Sequence, residues 1–184
     1  MSESEAANVV SRLRANAQRS PGTRALVFPV GRGGDGRTAF LEWTFGLLDG
    51  VSDAYARGFL SAGIGRGTKT IVMLKPGPEL FAIIFALFKV GAIPVIVDPG
   101  MGPKRMLHCY ETVRASAFVG IPLAHLVRLA RPKSFAAAKI LVTVGRPKIG
   151  GGHRLDRLAV HSTAPFPIAP ASPDDTLVIN FTTG

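Results

Sequence analysis

From residue 70 onward, short apolar runs rich in β-branched residues alternate with segments of helical spacing, and this alternation constrains the fold more than any other feature. Residues 70–74 read as a strand, 78–90 as a helix, 93–97 as a strand and 104–113 as a helix. Residues 117–120, 123–130 and 139–144 continue as strand, helix and strand, and 176–181 read as a last strand. Parallel neighbours need a long crossover, usually a helix, so the pattern predicts βαβ units. The expected fold class is α/β, with a mostly parallel, doubly wound sheet covered on both faces.

Ahead of that unit, Val9, Val10, Leu13 and Ala17 have helical spacing within residues 6–19, and Ser20-Pro21-Gly22 stops the helix. Residues 25–30 and 38–43 read as two strands around a glycine-rich turn, predicting an N-terminal hairpin. Leu47, Leu48, Val51, Tyr55, Phe59 and Leu60 mark a further helix that closes at Gly63. Residues 145–173, rich in Gly and Pro, read as a long surface connection with one short helix near Leu155.

Composition bounds the function classes. With 47% apolar residues in 184, the chain can bury a core and is no disordered tail. One cysteine, Cys109, excludes an intramolecular disulfide and makes a reducing, cytoplasmic location the default. Leu80 to Val97 is almost long enough for a membrane span, but Lys89, Gly91 and Pro94 interrupt it. A buried helix, a turn and a strand fit it better, so the chain is expected not to be transmembrane. The net charge of +10 is concentrated between Lys104 and Arg157, where eleven Lys or Arg face only Glu111 and Asp156. No Arg-rich helix or aromatic platform accompanies them. A solvated basic face is the favoured reading, with no specific nucleic-acid partner.

Two glycine-rich runs are excluded as nucleotide loops. Gly31-Arg32-Gly33-Gly34-Asp35-Gly36 fits G-x-G-x-x-G, but a strand follows where a helix should open to meet a pyrophosphate. It reads as a hairpin loop. The run from Gly63 to Thr70 has Thr68 where a P-loop needs glycine, and it precedes a strand instead of following one. His108, His125, His153 and His161 lack metal-ligand spacing and read as structural or exposed, and Cys109 reads as a small core residue. The last strand is different: it delivers Thr182, Thr183 and Gly184 at its carboxyl end, where ligands bind in open α/β sheets. Hydroxyls and unobstructed backbone N–H groups there suit phosphate oxygens.

Taken in order, three segments resemble the motifs of the adenylate-forming superfamily of acyl-CoA synthetases, peptide-synthetase adenylation domains and luciferases. Thr44-Phe45-Gly46-Leu47-Leu48 is similar to T-Y-x-E-L, with Leu47 in place of the usual Glu. Phe88-Lys89-Val90-Gly91-Ala92, leading on to Val97-Asp98-Pro99, is similar to L-K-A-G-A-x-x-V-P-x-D-P. Pro173-Asp174-Asp175 and Phe181-Thr182-Thr183-Gly184 resemble P-D-D and the first half of the phosphate loop Y-T-S-G-S-T-G-x-P-K-G. Within the superfamily, Phe85 to Lys89, Val97 to Gly100, Gly120 to His125 and Leu141 to Arg146 most resemble β-lactone synthetases of bacterial olefin biosynthesis. Relatives of that group commonly carry a fatty-acid–CoA ligase label.

The resemblance implies that residues 1–184 form the N-terminal part of an AMP-binding domain, cut inside the phosphate loop, with the C-terminal domain absent. It implies ATP and Mg²⁺, with coenzyme A as co-substrate if the enzyme is a ligase. The implied chemistry is activation of a long-chain fatty acid, with or without a 3-hydroxyl, as its acyl-adenylate, leading to an acyl-CoA or a β-lactone. Thr182, Thr183 and Gly184 are then phosphate-binding residues, and no catalytic or metal-binding residue falls in this stretch. The chain alone is expected to be inactive, and the parent to admit assembly with other lipid or olefin-pathway enzymes. A non-catalytic α/β binding module and a basic nucleic-acid-binding domain remain the alternatives.

Overall fold

A computed structural model describes residues 9–182. Helix α1 (Val10–Arg19) leads into an antiparallel hairpin of β1 (Arg24–Arg32) and β2 (Thr38–Thr44). Then follow α2 (Phe45–Ser61), β3 (Lys69–Met73), α3 (Pro78–Lys89), β4 (Ile93–Val97), α4 (Pro103–Val113), β5 (Ala117–Gly120), α5 (Pro122–Ala130) and β6 (Ile140–Thr143). The chain closes with β7 (His153–Arg154), α6 (Leu155–Leu158) and β8 (Ile179–Phe181). Short 3₁₀ turns at Pro99–Met101 and Pro132–Phe135 precede α4 and follow α5. The second sheet is all parallel, in the order β7-β6-β5-β3-β4-β8.

The expected class and the hairpin are both present. Order reverses at β3, with β4 on one side and β5 on the other, so right-handed crossovers place α3 and the α4–α5 pair on opposite faces. One core layer gathers Phe59, Ile83 and Leu87 from α2 and α3 under Val72, Val119 and Val142 of the sheet. The other gathers Tyr110, Phe118 and Phe135 beneath α4 and α5, and Cys109 is buried in it. The hairpin lies to the side, packing Leu26 and Trp43 on Leu13, Leu48 and Ala82. Of the Gly31–Gly36 run, Gly31 and Arg32 end β1 and the rest forms the hairpin loop, closed by Gly33 N–H to Arg37 O at 2.8 Å.

Two resemblance motifs turn out to have structural causes. Thr44 caps α2, its Oγ1 accepting from Leu47 N–H at 3.2 Å. Gly46 sits against the turn before β1, where a Cβ would lie 3.1 Å from the Pro21 carbonyl oxygen. At the other motif, Gly91 ends α3 with φ of +72°, Gly91 N–H bonding Phe88 O at 3.0 Å and Ala92 N–H bonding Leu87 O at 2.9 Å. This pair of bonds is a Schellman stop, which a β-carbon would strain.

Lys89, one residue before that stop, is 0% exposed. Its Nζ donates to Asp49 Oδ1 and Asp53 Oδ1, both at 2.6 Å, and lies 2.8 Å from Ser52 Oγ and 2.9 Å from Asp49 O. Arg14 completes the cluster from α1, with Nε 2.7 Å from Asp49 Oδ2 and Nη2 2.7 Å from Asp53 Oδ1. Two cations and two carboxylates thus neutralise one another where α1, α2 and α3 meet. The cluster also holds the chain at Phe166, whose N–H donates to Asp53 Oδ2 at 2.9 Å and whose carbonyl accepts from Arg14 at 3.3 Å.

Residues 145–173 form the expected surface connection with a short helix at Leu155–Leu158, but that anchorage ties it to the core at two points. Leu155 and Phe166 are buried, and β7 pairs parallel with β6 through Val142↔His153 and Thr143↔Arg154. Two residues are too short for any periodicity, so the strand has no signal in the sequence. The last strand is also shorter than expected, because residues 176–178 are exposed and unpaired before Ile179 meets Val95. Removing one member of the cluster leaves a buried charge uncompensated. Lys89→Met should therefore lower unfolding free energy by about 3–5 kcal/mol in urea titration. Arg24→Ala, which breaks the exposed pair with Glu42, should cost under about 1 kcal/mol. Equal effects of the two substitutions would contradict the role given to the cluster.

Candidate functional site

Parallel strands bring their carboxyl ends to one edge, and there the sequence placed its candidate residues. β4 and β8 run in register through Val95↔Ile179, Ile96↔Asn180 and Val97↔Phe181. One step further, Asp98 N–H donates to Phe181 O at 3.1 Å. The ladder therefore carries the Asp98-Pro99-Gly100 turn to the point where Thr182 leaves β8. Asp98 also stiffens its own turn, Oδ1 accepting from Gly100 N–H at 2.8 Å at the head of a 3₁₀ turn. Two segments about eighty residues apart in sequence, both singled out by motif, are thus side by side.

Thr182 is exposed at this edge. Thr183 and Gly184, the other two candidate phosphate ligands, lie outside the described residues. Pro173-Asp174-Asp175 lies at the opposite, amino edge of the sheet. There Asp175 Oδ2 accepts from Ser172 N–H at 2.9 Å and pairs with Arg66 at 2.8 Å. This turn fastens the connection to the Gly63–Thr70 run, which leads into the amino end of β3. The run that mimics a P-loop is thus at the wrong edge for the candidate site.

Residues missed in the sequence complete the carboxyl edge. β3 ends at Met73, and Lys75 follows, exposed and without an ion-pair partner among the described residues. It borders an apolar cleft of about 220 Å³ between the strand ends and α4–α5, lined by Val72, Val97, Met106, Tyr110 and Ile121. Burial pushes the Tyr110 phenol well above its ordinary range, so it stays protonated. A strand-end hydroxyl, a capped turn and a lysine along one edge suit an anionic ligand. Among the described residues, no group of three His, Cys, Asp or Glu is placed to hold a metal ion.

The outer part of the same edge is held by His125. This side chain is fully buried, with Nε2 3.2 Å from both Val142 O and Thr143 Oγ1 at the end of β6. Its ring meets Phe118 edge-on at 4.9 Å, and Nδ1 has no partner among the described residues. His125 is structural, as its lack of ligand spacing implied. His108, His153 and His161 are exposed.

An open, doubly wound sheet whose carboxyl edge is accessible has the architecture of α/β proteins that bind ligands at that edge. The sequence profile described as AMP-binding enzyme matches residues 13–184. The chain belongs to that family. It is 41% identical over 180 residues to the olefin beta-lactone synthetase of Stenotrophomonas maltophilia (strain K279a), covering 96% of this chain and 32% of that protein. It is 39% identical over 179 residues to the olefin beta-lactone synthetase of Xanthomonas campestris pv. campestris, with the same coverage of 96% and 32%. The fold matches the anthranilate CoA ligase AuaEII, solved in complex with anthranoyl-AMP, with a TM-score of 0.78 at 17% identity. That match covers 96% of this chain and 32% of the other. The chain thus spans about a third of the length of the curated relatives it matches.

Burial lowers the His125 pKa below its ordinary 6.5, the contact to the Val142 carbonyl opposes this, and nearby Arg128 adds to it. The unfolded chain therefore takes up this proton near pH 6.5, and the folded chain only at lower pH. The contribution of neutral His125 to stability is full above about 6.5 and is lost as the pH falls below it. Urea unfolding of the chain should show this acid-side loss, and His125→Gln should flatten it. Parallel pH profiles for the two proteins would show that His125 is not responsible.

Proposed function

We propose that this chain forms the first part of the larger domain of an enzyme that activates a long-chain carboxylic acid with MgATP. In this reading the segment that follows β8, Thr182-Thr183-Gly184, binds the β- and γ-phosphates while the reaction occurs at the α-phosphorus. A carboxylate oxygen attacks that phosphorus, the bond to the bridging oxygen breaks, and pyrophosphate leaves with its Mg²⁺. The product is a mixed anhydride of the acid and AMP. Phosphoryl chemistry asks little covalent work of a protein, so positioned donors such as the Thr182 hydroxyl carry much of the effect. The Asp98 turn holds the end of β8 in place, and Lys75 adds positive potential at the same edge.

The observation that carries the reading furthest is the two olefin beta-lactone synthetases at 41% and 39% identity across 96% of the chain. They favour a 3-hydroxy acid as substrate. After adenylation, the 3-hydroxyl oxygen attacks the acyl carbon, the bond from that carbon to the AMP oxygen breaks, and the hydroxyl proton passes to a base or to solvent. A four-membered lactone and AMP result. The nucleophile is already tethered to its electrophile, an advantage of position that replaces a second substrate. A fatty-acid–CoA ligase is the second reading, in which the thiol of coenzyme A displaces AMP. It is favoured by a relative named as an acyl-CoA ligase, from Ajellomyces capsulatus, at 41% identity over 57 residues.

The full-length protein carrying this chain should turn over a 3-hydroxy long-chain acid with MgATP alone, releasing AMP, pyrophosphate and a β-lactone detectable by mass spectrometry. The matching acid without the hydroxyl should stop near one adenylate per site. Thr182→Ala should slow ATP–pyrophosphate exchange by roughly 10²-fold while leaving thermal unfolding unchanged. A strict need for coenzyme A, whatever the 3-substituent, would establish the ligase reading, and an unchanged exchange rate in Thr182→Ala would sink the phosphate assignment.

A further inference from the structure

Helix α5 (Pro122–Ala130) covers the β5–β6 side of the sheet with Ala124 and His125, both buried. Its opposite side is unusual for a surface helix. Leu123, Leu126 and Leu129 are 64%, 48% and 50% exposed, and Ala130 beside them is exposed as well. A soluble helix normally presents charge on its outer face. Here the only ionic side chain of the helix, Arg128, is turned aside to the Gly150 carbonyl at 2.8 Å. The outward face of α5 is therefore apolar along its whole length.

Cations lie where this face ends, at Ala130. The end of α5 and the following 3₁₀ turn share an open groove of about 690 Å³ with the first half of α4. Lys104, Arg131 and Lys133 line it, and Arg105 is exposed on the same helix as Lys104. None of these four has an ion-pair partner among the described residues. The only acid in the groove, Glu111, accepts from Ser134 Oγ at 2.8 Å. An apolar ridge with unpaired lysines and arginines beside it has two demands at once: cover for leucines and counter-charge for cations.

We propose that the α4–α5 face docks on a lipid bilayer containing anionic headgroups. The three leucines enter the boundary between headgroups and acyl chains, and Lys104, Arg105, Arg131 and Lys133 meet the phosphates. This is the arrangement by which amphipathic surfaces lie on membranes without crossing them. Charge complementarity selects this occupant over a neutral protein surface, which would cover the leucines and leave the cations uncompensated. No helix among the described residues is long and apolar enough to cross a membrane, so the association is peripheral. The proposal does not rest on the adenylation reading: Leu123 also lines the cleft beside Lys75, but Leu126, Leu129, Arg131 and Lys133 do not.

The test is co-sedimentation of the full-length protein with vesicles of phosphatidylcholine alone and of phosphatidylcholine with 30% phosphatidylglycerol. Partitioning should be strong only on the anionic vesicles and should weaken as salt rises. Lys104→Gln, Arg131→Gln and Lys133→Gln should each lower it about fivefold, and roughly 100-fold together. Leu126→Ser with Leu129→Ser should lower it by about tenfold or more at constant charge. All are surface changes, and unaltered thermal unfolding checks that the fold is kept. Hydrogen exchange of the unmutated protein gives a reading free of any folding effect: amides across 122–133 should be protected only when vesicles are present. Equal binding to neutral and anionic vesicles, binding untouched by both sets of changes, or protection of that segment without lipid would overturn the proposal. The last result would mean that protein covers the face.

Discussion

Four charged side chains withdrawn from water at the junction of α1, α2 and α3 govern how the rest of the molecule is arranged. An ammonium as deeply buried as that of Lys89 is tolerable only if its protons are met by acceptors and its charge by carboxylates. Asp49 and Asp53 do both, and being one turn apart on α2 they reach Lys89 from one side and Arg14 from the other. The geometry leaves little freedom for the three helices to slide. It also reaches beyond them, because Asp53 and Arg14 take up both backbone polar groups of Phe166. From that anchor the connection passes the Arg66–Asp175 pair and enters β8 beside β4. A charge cluster at one side of the sheet thus sets the path that delivers Thr182 to its carboxyl edge.

Seen in these terms, the motifs that carry the family resemblance divide by physical role. Thr44, Gly46, Lys89 and Gly91 serve the fold, as a cap, a close approach, a buried charge and a helix stop. Asp98 is intermediate: it stiffens a turn, and that turn is hydrogen-bonded to the last residue of β8. Among the described motif residues, Thr182 presents an exposed hydroxyl at the carboxyl edge. The proposed adenylation needs this division. A site that acts mainly by position and electrostatics depends on a scaffold that does not move when charge develops on the ligand.

Much of the fold was legible because local and global preferences agree in it. The 93–97 and 117–120 strands fall where their apolar runs predicted, and α3 ends one residue before the predicted bound because Val90 is the cap of a Schellman stop. The rest was hidden for specific reasons. β7 is two residues long and exists only because β6 offers it a ladder. Residues 176–178 are apolar enough for a strand, yet the partner strand β4 pairs only from Val95 to Val97. Lys89 read as an interruption of an apolar run, whereas Asp49 and Asp53, four apart on an apolar helix, were the signal that a buried cation needed partners. Lys75 gave no signal at all, because a lone lysine after a strand gains meaning only when the strand order shows which edge it joins. Of the candidate site, the sequence singled out the end of β8, and the Val97-Asp98-Pro99 turn as a motif, but not their contact.

The central proposal is that ATP phosphates bind at the carboxyl edge, against the segment that follows β8. A crystal structure of the full-length protein with a non-hydrolysable ATP analogue and Mg²⁺ tests it most directly. The account predicts phosphate oxygens within hydrogen-bonding distance of the Thr182 hydroxyl, next to the Asp98 turn. A triphosphate seated instead at the amino edge, against the Gly63–Thr70 run, or away from β8 altogether, would contradict it.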